Sequence, residues 1–526
     1  MRLSRYVAGS PLYWGVYLKV SCILGLSSWI SQAVSAEWDI RPRVVVSESY
    51  TDNIGMGGFG GGLGGFGGGG LSGSEFITQI NPGIDITGHG RRFTSNLNYT
   101  LNNLIYARNG RFQARNQLAA NGTAEIIKHY FFIDGTATVT QQNAFLFAPL
   151  AADNTNLTGN RRDIRAWNIS PYIQHRFKNF ASGQLRYAHG EVGSNARNFL
   201  NNTVDTVIFS LNSGSAFKTV GWGLNYDRSE ISRKGSGTYL GNLGTIEMEK
   251  AIGSLKYMVT SQFSLIGTAG YERNSFISIR GRTSGPSWTV GFSWIPTKRT
   301  SISASGGKRF FGNTYAAAID HRTRATVWSL SYNEDLTTFG QQSLSGGPIM
   351  NASMLSQLFS GTQGGQTLLN QGLPLSFSDP NNFLTNRVFL LKNLNASLTL
   401  NGKKNSLVFR AFNYSRKSFS PDAEDAGLMG TNAILTQNTT QTGGNMLWNH
   451  RLSPRTNANI NFGYIRTSYD VTNQTDDNII ASTGLNKQLG ANVNGSIMYF
   501  HQRRLSSRSN AEYSSNTITA TLSMNF

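Results

Sequence analysis

Seven histidines are the residues best suited to acid–base or metal chemistry in this chain of 526: His89, His129, His175, His189, His321, His450 and His501. They are scattered, and none falls in an H-E-x-x-H arrangement. No G-x-S-x-G elbow presents a nucleophilic serine. The single cysteine, Cys22, cannot by itself build a thiolate metal site or a haem attachment. Asp320-His321 would suit a rim Asp/His pair, yet neighbours in sequence read more simply as a solvated loop. Gly55, Gly57 and Gly60 spell a formal G-x-G-x-x-G, but they lie in a glycine run over 55–70 with no βαβ unit around it. A phosphate cradle needs the strand before and the helix after, so the run reads as a flexible low-complexity loop. The residues indicate no enzyme, no cofactor and no metal.

The charged residues carry more information. Lys+Arg number 47 against 28 Asp+Glu, a net charge of +19, yet charged residues are only 14% of the chain, and glycines number 58. A soluble helical enzyme would carry about 25% charge, much of it Glu and Lys on helix surfaces. Apolar content of 39% excludes a disordered chain. No run of ~20 apolar residues provides a membrane-spanning helix. What remains is an all-β chain rich in Asn, Ser, Thr, Gln and Gly.

The first 36 residues read as a secretory signal. Arg2, Arg5 and Lys19 precede an apolar stretch from Val20 to Val34, and Val34-Ser35-Ala36 offers small residues for cleavage. Cys22 leaves with it, so the mature chain from 37 has no thiol and must rely on hydrogen-bonded sheet. Thereafter the hydrophobic period is 2, as in Thr517–Phe526, Asn457–Tyr464, Thr219–Tyr226 and Ser287–Trp294. Three features turn this alternation towards a transmembrane antiparallel outer-membrane β-barrel. Segments such as Phe93–Tyr106 exceed the ~9–11 residues that a tilted membrane strand needs. Trp288, Trp294, Tyr464 and Tyr499 lie near segment ends, as an aromatic girdle requires. Very short turns (178–179, 402–405, 453–454) alternate with long connections (142–162, 229–244, 420–437), the asymmetry of periplasmic turns and outer loops.

About 21 alternating segments can be counted, whereas single-chain bacterial barrels have even strand numbers. Tracking turn lengths inward from each end places the conflict at 335–385. The expectation is therefore about 20 strands, within roughly 18–22. Residues 336–383, rich in Gln, Ser, Gly and Leu, are expected to form either a lumenal plug or an outer loop.

Lys and Arg on the lipid face near mid-membrane cost ~2–4 kcal/mol, so basic residues within strands should face inward. Alternation against Leu185 and Tyr187 turns Arg186 inward, and against Leu255 and Tyr257 it does the same for Lys250 and Lys256. Ile302 and Ala304 place Arg309 inward, and Ile169 and Ile173 place Arg176 inward. An unpaired set of this kind would favour anions; paired with acids such as Glu272, it would only brace the wall. Nucleic acid is not an expected partner, because no recognition module is present. At the C-terminus, Leu522, Met524 and Phe526 form an alternating apolar end of the kind that the outer-membrane insertion machinery reads.

Particular segments also resemble a family. Glu37-Trp38-Asp39-Ile40-Arg41-Pro42, then Val46-Ser47-Glu48-Ser49-Tyr50-Thr51-Asp52-Asn53, resemble the opening of outer-membrane barrels associated with PEP-CTERM protein-sorting systems. Gln79–Ile84, Val388–Leu390 and Leu398–Asn405 resemble that family as well. The resemblance implies a barrel over 37–526 in the outer membrane of a Gram-negative, exopolysaccharide-making cell, with no catalytic residues. Its implied partners are outer-membrane lipid, the insertion machinery, and polysaccharide-export proteins or an anionic polysaccharide. Two roles fit: a pore or export component with a basic lumen, or an assembly scaffold without an open channel.

Overall fold

The computed structural model describes residues 36–56, 73–151, 155–234, 244–345, 383–508 and 511–526. The signal segment up to 35 and most of the glycine run at 55–70 lie outside the described residues.

Alternation is realised as twenty-two antiparallel strands. The first quarter holds β1 (Ala36–Thr51), β2 (Glu75–Gly90), β3 (Phe93–Tyr106), β4 (Phe112–Ile127) and β5 (Phe131–Asn143). Next come β6 (Arg161–Phe177), β7 (Ala181–Ser194), β8 (Asn201–Ser213), β9 (Val220–Lys234), β10 (Thr245–Met258) and β11 (Phe263–Asn274). They are followed by β12 (Gly285–Thr297), β13 (Thr300–Arg309), β14 (Gly312–Arg322), β15 (Thr326–Thr338) and β16 (Val388–Asn401). The last are β17 (Asn405–Ser418), β18 (Asn438–Ser453), β19 (Thr456–Tyr469), β20 (Gln474–Gln488), β21 (Val493–Ser506) and β22 (Tyr513–Asn525).

Each strand pairs with its sequence neighbours, and β1 pairs with β22 from Arg43↔Asn525 to Thr51↔Thr517, closing the sheet into a barrel. Closure leaves neither terminal strand as a free edge, which is what lets a β-structure stand in lipid. One face of each strand is apolar and open: Leu255, Val290 and Ile497 are each more than 60% exposed. The chain is an outer-membrane β-barrel, and that exposed face is its lipid contact. Trp38, Trp294, Trp328 and Trp448 ring one end, where the connections are short, and mark the periplasmic interface.

The hidden strand is β14, and it does not lie at 335–385. β13 and β14 are joined on the outer side by two residues, Phe310-Phe311, with Gly312 at φ +121° finishing the turn. A two-residue apolar tip has neither the length nor the polarity of an outer loop, so 299–322 reads as one long segment. Restoring it makes the count even and puts both termini of the barrel on the periplasmic side.

Outer connections fold inward instead of standing in solvent. The β5–β6 connection, 144–160, buries Phe145, Leu146 and Phe147 in a cluster with Phe199, Phe383, Leu384, Leu428, Met429 and Tyr469. The β17–β18 connection supplies Leu428 and Met429 from a short helix, α1 (Ala423–Met429), followed by a 3-10 turn, Gly430–Thr436. A second short helix, α2 (Phe339–Leu344), leaves β15 and presses Leu344 against Gly190 on the inner face of β7. A Cβ at Gly190 would stand 2.8 Å from Leu344 and 2.9 Å from the Trp167 carbonyl oxygen, so a side chain there would force both to shift. Of the expected irregular segment, 336–338 belong to β15 and 346–382 lie outside the described residues.

Candidate functional site: the lumen and its closure

The inner wall is built by alternation, and its chemistry is polar. Asn81, Thr100 and Asn102, then Asn457, Asn459, Asn478, Ser482 and Asn486, are buried among neighbours on the face opposite the lipid-facing residues. All five basic residues expected inward fall on that face. Their neighbourhoods divide them into two groups.

Arg186 is held by Asp134 (2.8 Å) and Ser170 Oγ (2.9 Å), with its guanidinium 3.9 Å over the Tyr172 ring. Arg309 grips both oxygens of buried Glu272 at 2.7 and 2.8 Å and reaches Asp335 at 3.2 Å. Lys250 stands in register between Asp227 on β9 and Glu272 on β11. The expected anion-favouring excess is therefore cancelled at these three positions. The cause is register: each acid lies on an adjoining or next-but-one strand, where the sequence spacing conceals it. Arg176 and Lys256 are exposed at the periplasmic ends of β6 and β10. Neither forms an ion pair among the described residues.

The extracellular closure rests on basic residues that the sequence did not single out. Arg504, fully buried on β21, bonds Asp476 Oδ2 at 2.5 Å. Its Nη1 donates to the carbonyl of Ala148 (2.6 Å), and the Nη2 that meets Asp476 also donates to the carbonyl of Leu146 (3.2 Å), both in the 144–160 connection. Arg508 joins Asp476 at 2.8 Å and also donates to the Phe147 carbonyl. Tyr106 on β3 donates its hydroxyl to Thr155 O at 2.9 Å, and Gln502 Nε2 donates to Leu150 O at 2.7 Å. A connection that starts at β5 is thus fastened to the inner face of β3, two strands away, and, beyond the β1–β22 closure, to the inner face of β21.

The β17–β18 connection is fastened by a second set. Arg233 on β9 pairs with Glu424 at 2.9 Å, both side chains being less than a tenth exposed. Asp425, completely buried, accepts from Thr385 Oγ1 (2.5 Å) and the Asn386 backbone N–H (2.7 Å), and faces Arg387 at 3.7 Å. Burial pushes both carboxyls up, against the opposing pull of Arg233 and Arg387. No group of three or more His, Cys, Asp and Glu positioned for a metal occurs among the described residues. At the C-terminus, Phe526 is exposed on the lipid side with Leu522 and donates its backbone N–H to Pro42 O (2.9 Å), locking the closing seam.

No protein-family model and no curated protein matches the sequence. Solved structures of similar architecture include the siderophore receptor PirA from Pseudomonas aeruginosa (9% identity, TM-score 0.43, covering 93% of this chain and 80% of that one). The ferric enterobactin receptor PfeA from the same organism matches with 8% identity and a TM-score of 0.46, covering 93% and 81%. The ferric-catecholate import receptor Fiu from E. coli K12 matches at 9% and 0.46, covering 93% and 82%.

Proposed function

We propose that this barrel is a solute passage of the outer membrane, held shut on its extracellular side by its own connections. One observation carries the reading: buried charge pairs at Arg504–Asp476 and Arg233–Glu424 fix two connections inside a wide polar lumen. Barrels of this strand number enclose a lumen that is open unless something plugs it. Buried ion pairs contribute little net stability, and their value lies in specifying one arrangement. Here that arrangement is closed.

The cargo we propose is anionic and enters from the periplasm, where Arg176 and Lys256 stand exposed and uncompensated at the mouth. The resemblance of the β1, β2 and β16 segments to barrels of PEP-CTERM systems supports exopolysaccharide as that cargo and export proteins as partners. The rival role, a scaffold with no channel, draws on the same buried closure.

Planar-bilayer conductance separates the two. The native chain should conduct poorly, and a variant with 145–158 replaced by a short Gly-Ser linker should conduct strongly and with anion preference. A folded, heat-modifiable variant that conducts no better than the native chain would leave the scaffold role standing.

A further inference from the structure

The barrel wall is not continuous on its outer half. β14 pairs with β13 along its whole length, from Arg309↔Gly312 to Thr300↔His321. Against β15 it pairs only from Ala317↔Tyr332 to Arg322↔Val327. Continuing that register would set Ala316 opposite Asn333 and Gly312 opposite Thr337, but no ladder forms there. A tilted span of ten or eleven residues just covers the apolar band of ~25 Å. The split between β14 and β15 therefore opens at the depth of the outer leaflet.

The upper ends of β15 and β16 leave the wall at the same place. Leu336, Val388 and Leu390 share by alternation the outward face of Trp328, Leu394 and Leu398. They are nonetheless buried against Val204, Ile231 and Ile246, which lie on the inner faces of β8, β9 and β10. The hairpin top has swung across the lumen. Phe310 and Phe311 fill the wedge it leaves, packing on Phe419 at 6.2 and 6.3 Å, with Phe276 edge-on to the same ring at 6.4 Å. The β11–β12 connection roofs the tip, Ile279 N–H donating to Phe419 O and Arg280 to Ser418 O. Arg309 ties the tip down through Glu272 and Asp335.

Behind the wedge the lumen is apolar. The cluster around Val204 and Leu390 meets the one around Phe145 and Met429 at Leu344. Barrel interiors are ordinarily polar, so this apolar stretch behind the wedge stands apart from the rest of the inner wall. We propose that the β13–β14 hairpin is a lateral door between the lumen and the outer leaflet, taking a molecule with a long acyl chain. The chain would run over Phe310, Phe311 and Leu336, with its head at the level of Lys308, which shares the outward face of Trp288 beside the tip. The door does not depend on axial conduction, so it stands or falls separately from the pore.

The test uses the full chain, with Cys22→Ser, in phosphatidylethanolamine–phosphatidylglycerol vesicles. The probe is palmitic acid carrying a diazirine near its chain end, and adducts are mapped by peptide. Adducts should appear on lipid-facing Leu255 and Tyr271, on the tip phenylalanines, and on inward-facing Val204, Ile231 and Ile246. Oxidising an added Ala316→Cys/Asn333→Cys pair should remove the inward adducts, reduction should restore them, and the lipid-facing ones should not change. Phe310→Ala/Phe311→Ala, made without the cysteine pair, should raise inward labelling. Inward residues that stay unlabelled in the native chain and in the alanine variant would overturn the door. So would inward labelling that a formed disulfide leaves unchanged.

Discussion

Replacing Arg504 by Met tests the closure where it is most concentrated. The guanidinium is fully buried and ends on one carboxylate and two carbonyls, so the substitution removes all three contacts at once. Asp476 would keep Arg508 as its only cation, and breaking a buried pair of this kind costs ~3–5 kcal/mol. The carbonyls of Leu146 and Ala148 would each lose a bond to a charged donor, ~1.5–3 kcal/mol apiece. Release of 144–148 from the lumen relieves every one of these losses, because water then reaches the carboxylate and the carbonyls. Wall strands gain no such relief from unfolding. The closed arrangement should therefore weaken by at least ~3 kcal/mol relative to the released one, more than a hundredfold in their ratio. Chymotrypsin reads this directly at Phe145 and Phe147, which are buried in the native chain. Cleavage there should accelerate and bilayer conductance should rise, while heat-modifiable barrel stays intact. Arg504→Met/Asp476→Leu should regain only part of the protection, since the stranded anion is gone but Arg508 loses its carboxylate and both carbonyls stay unbonded. Native-like cleavage and conductance in folded Arg504→Met would refute the assignment of this pair as the fastening.

Arg309→Gln strands buried Glu272 and should lower thermal stability in detergent by about 3 kcal/mol or more, whereas Lys256→Gln, exposed at the mouth, should leave it unchanged. For anion selectivity, measured as reversal potential in the loop-deleted barrel, the order should invert: Arg176→Gln/Lys256→Gln should shift it, and Arg186→Gln should shift it less. Deleting Phe526 removes the bond to Pro42 O and the terminal aromatic, so less heat-modifiable protein should be recovered from the outer membrane. Glu424 and Asp425 carry raised carboxyl pKa values when the α1 connection is docked. Docking is thus favoured in acid and weakens as pH rises through those raised values, so proteolysis within 423–436 should quicken across a pH series that climbs from the ordinary carboxylate range. Asp425→Asn should flatten that dependence.

The lipid-facing side of this molecule was legible in the sequence because lipid is an unforgiving solvent. A residue at Leu185 or Tyr187 must be apolar, and its neighbour Arg186 must then face inward, so five inward assignments follow from period alone. What Arg186 meets is a different matter, since Asp134 lies 52 residues earlier and only register brings them together. Net charge could not report a lumen in which acids and bases are paired across strands. The outer rim misled for a related reason. Turn-counting presumes that outer connections are long and polar, a rule set by water, and Phe310-Phe311 breaks it because the tip packs under Phe419. The same exception was written openly in Phe145-Leu146-Phe147-Ala148-Pro149-Leu150, an apolar run within a connection that should meet solvent. Such a run in an outer loop has few places to go. The lumen is the one that lets Arg504 hold its carbonyls, and closure follows from the hydrophobic content of the loops as much as from the fastening charges.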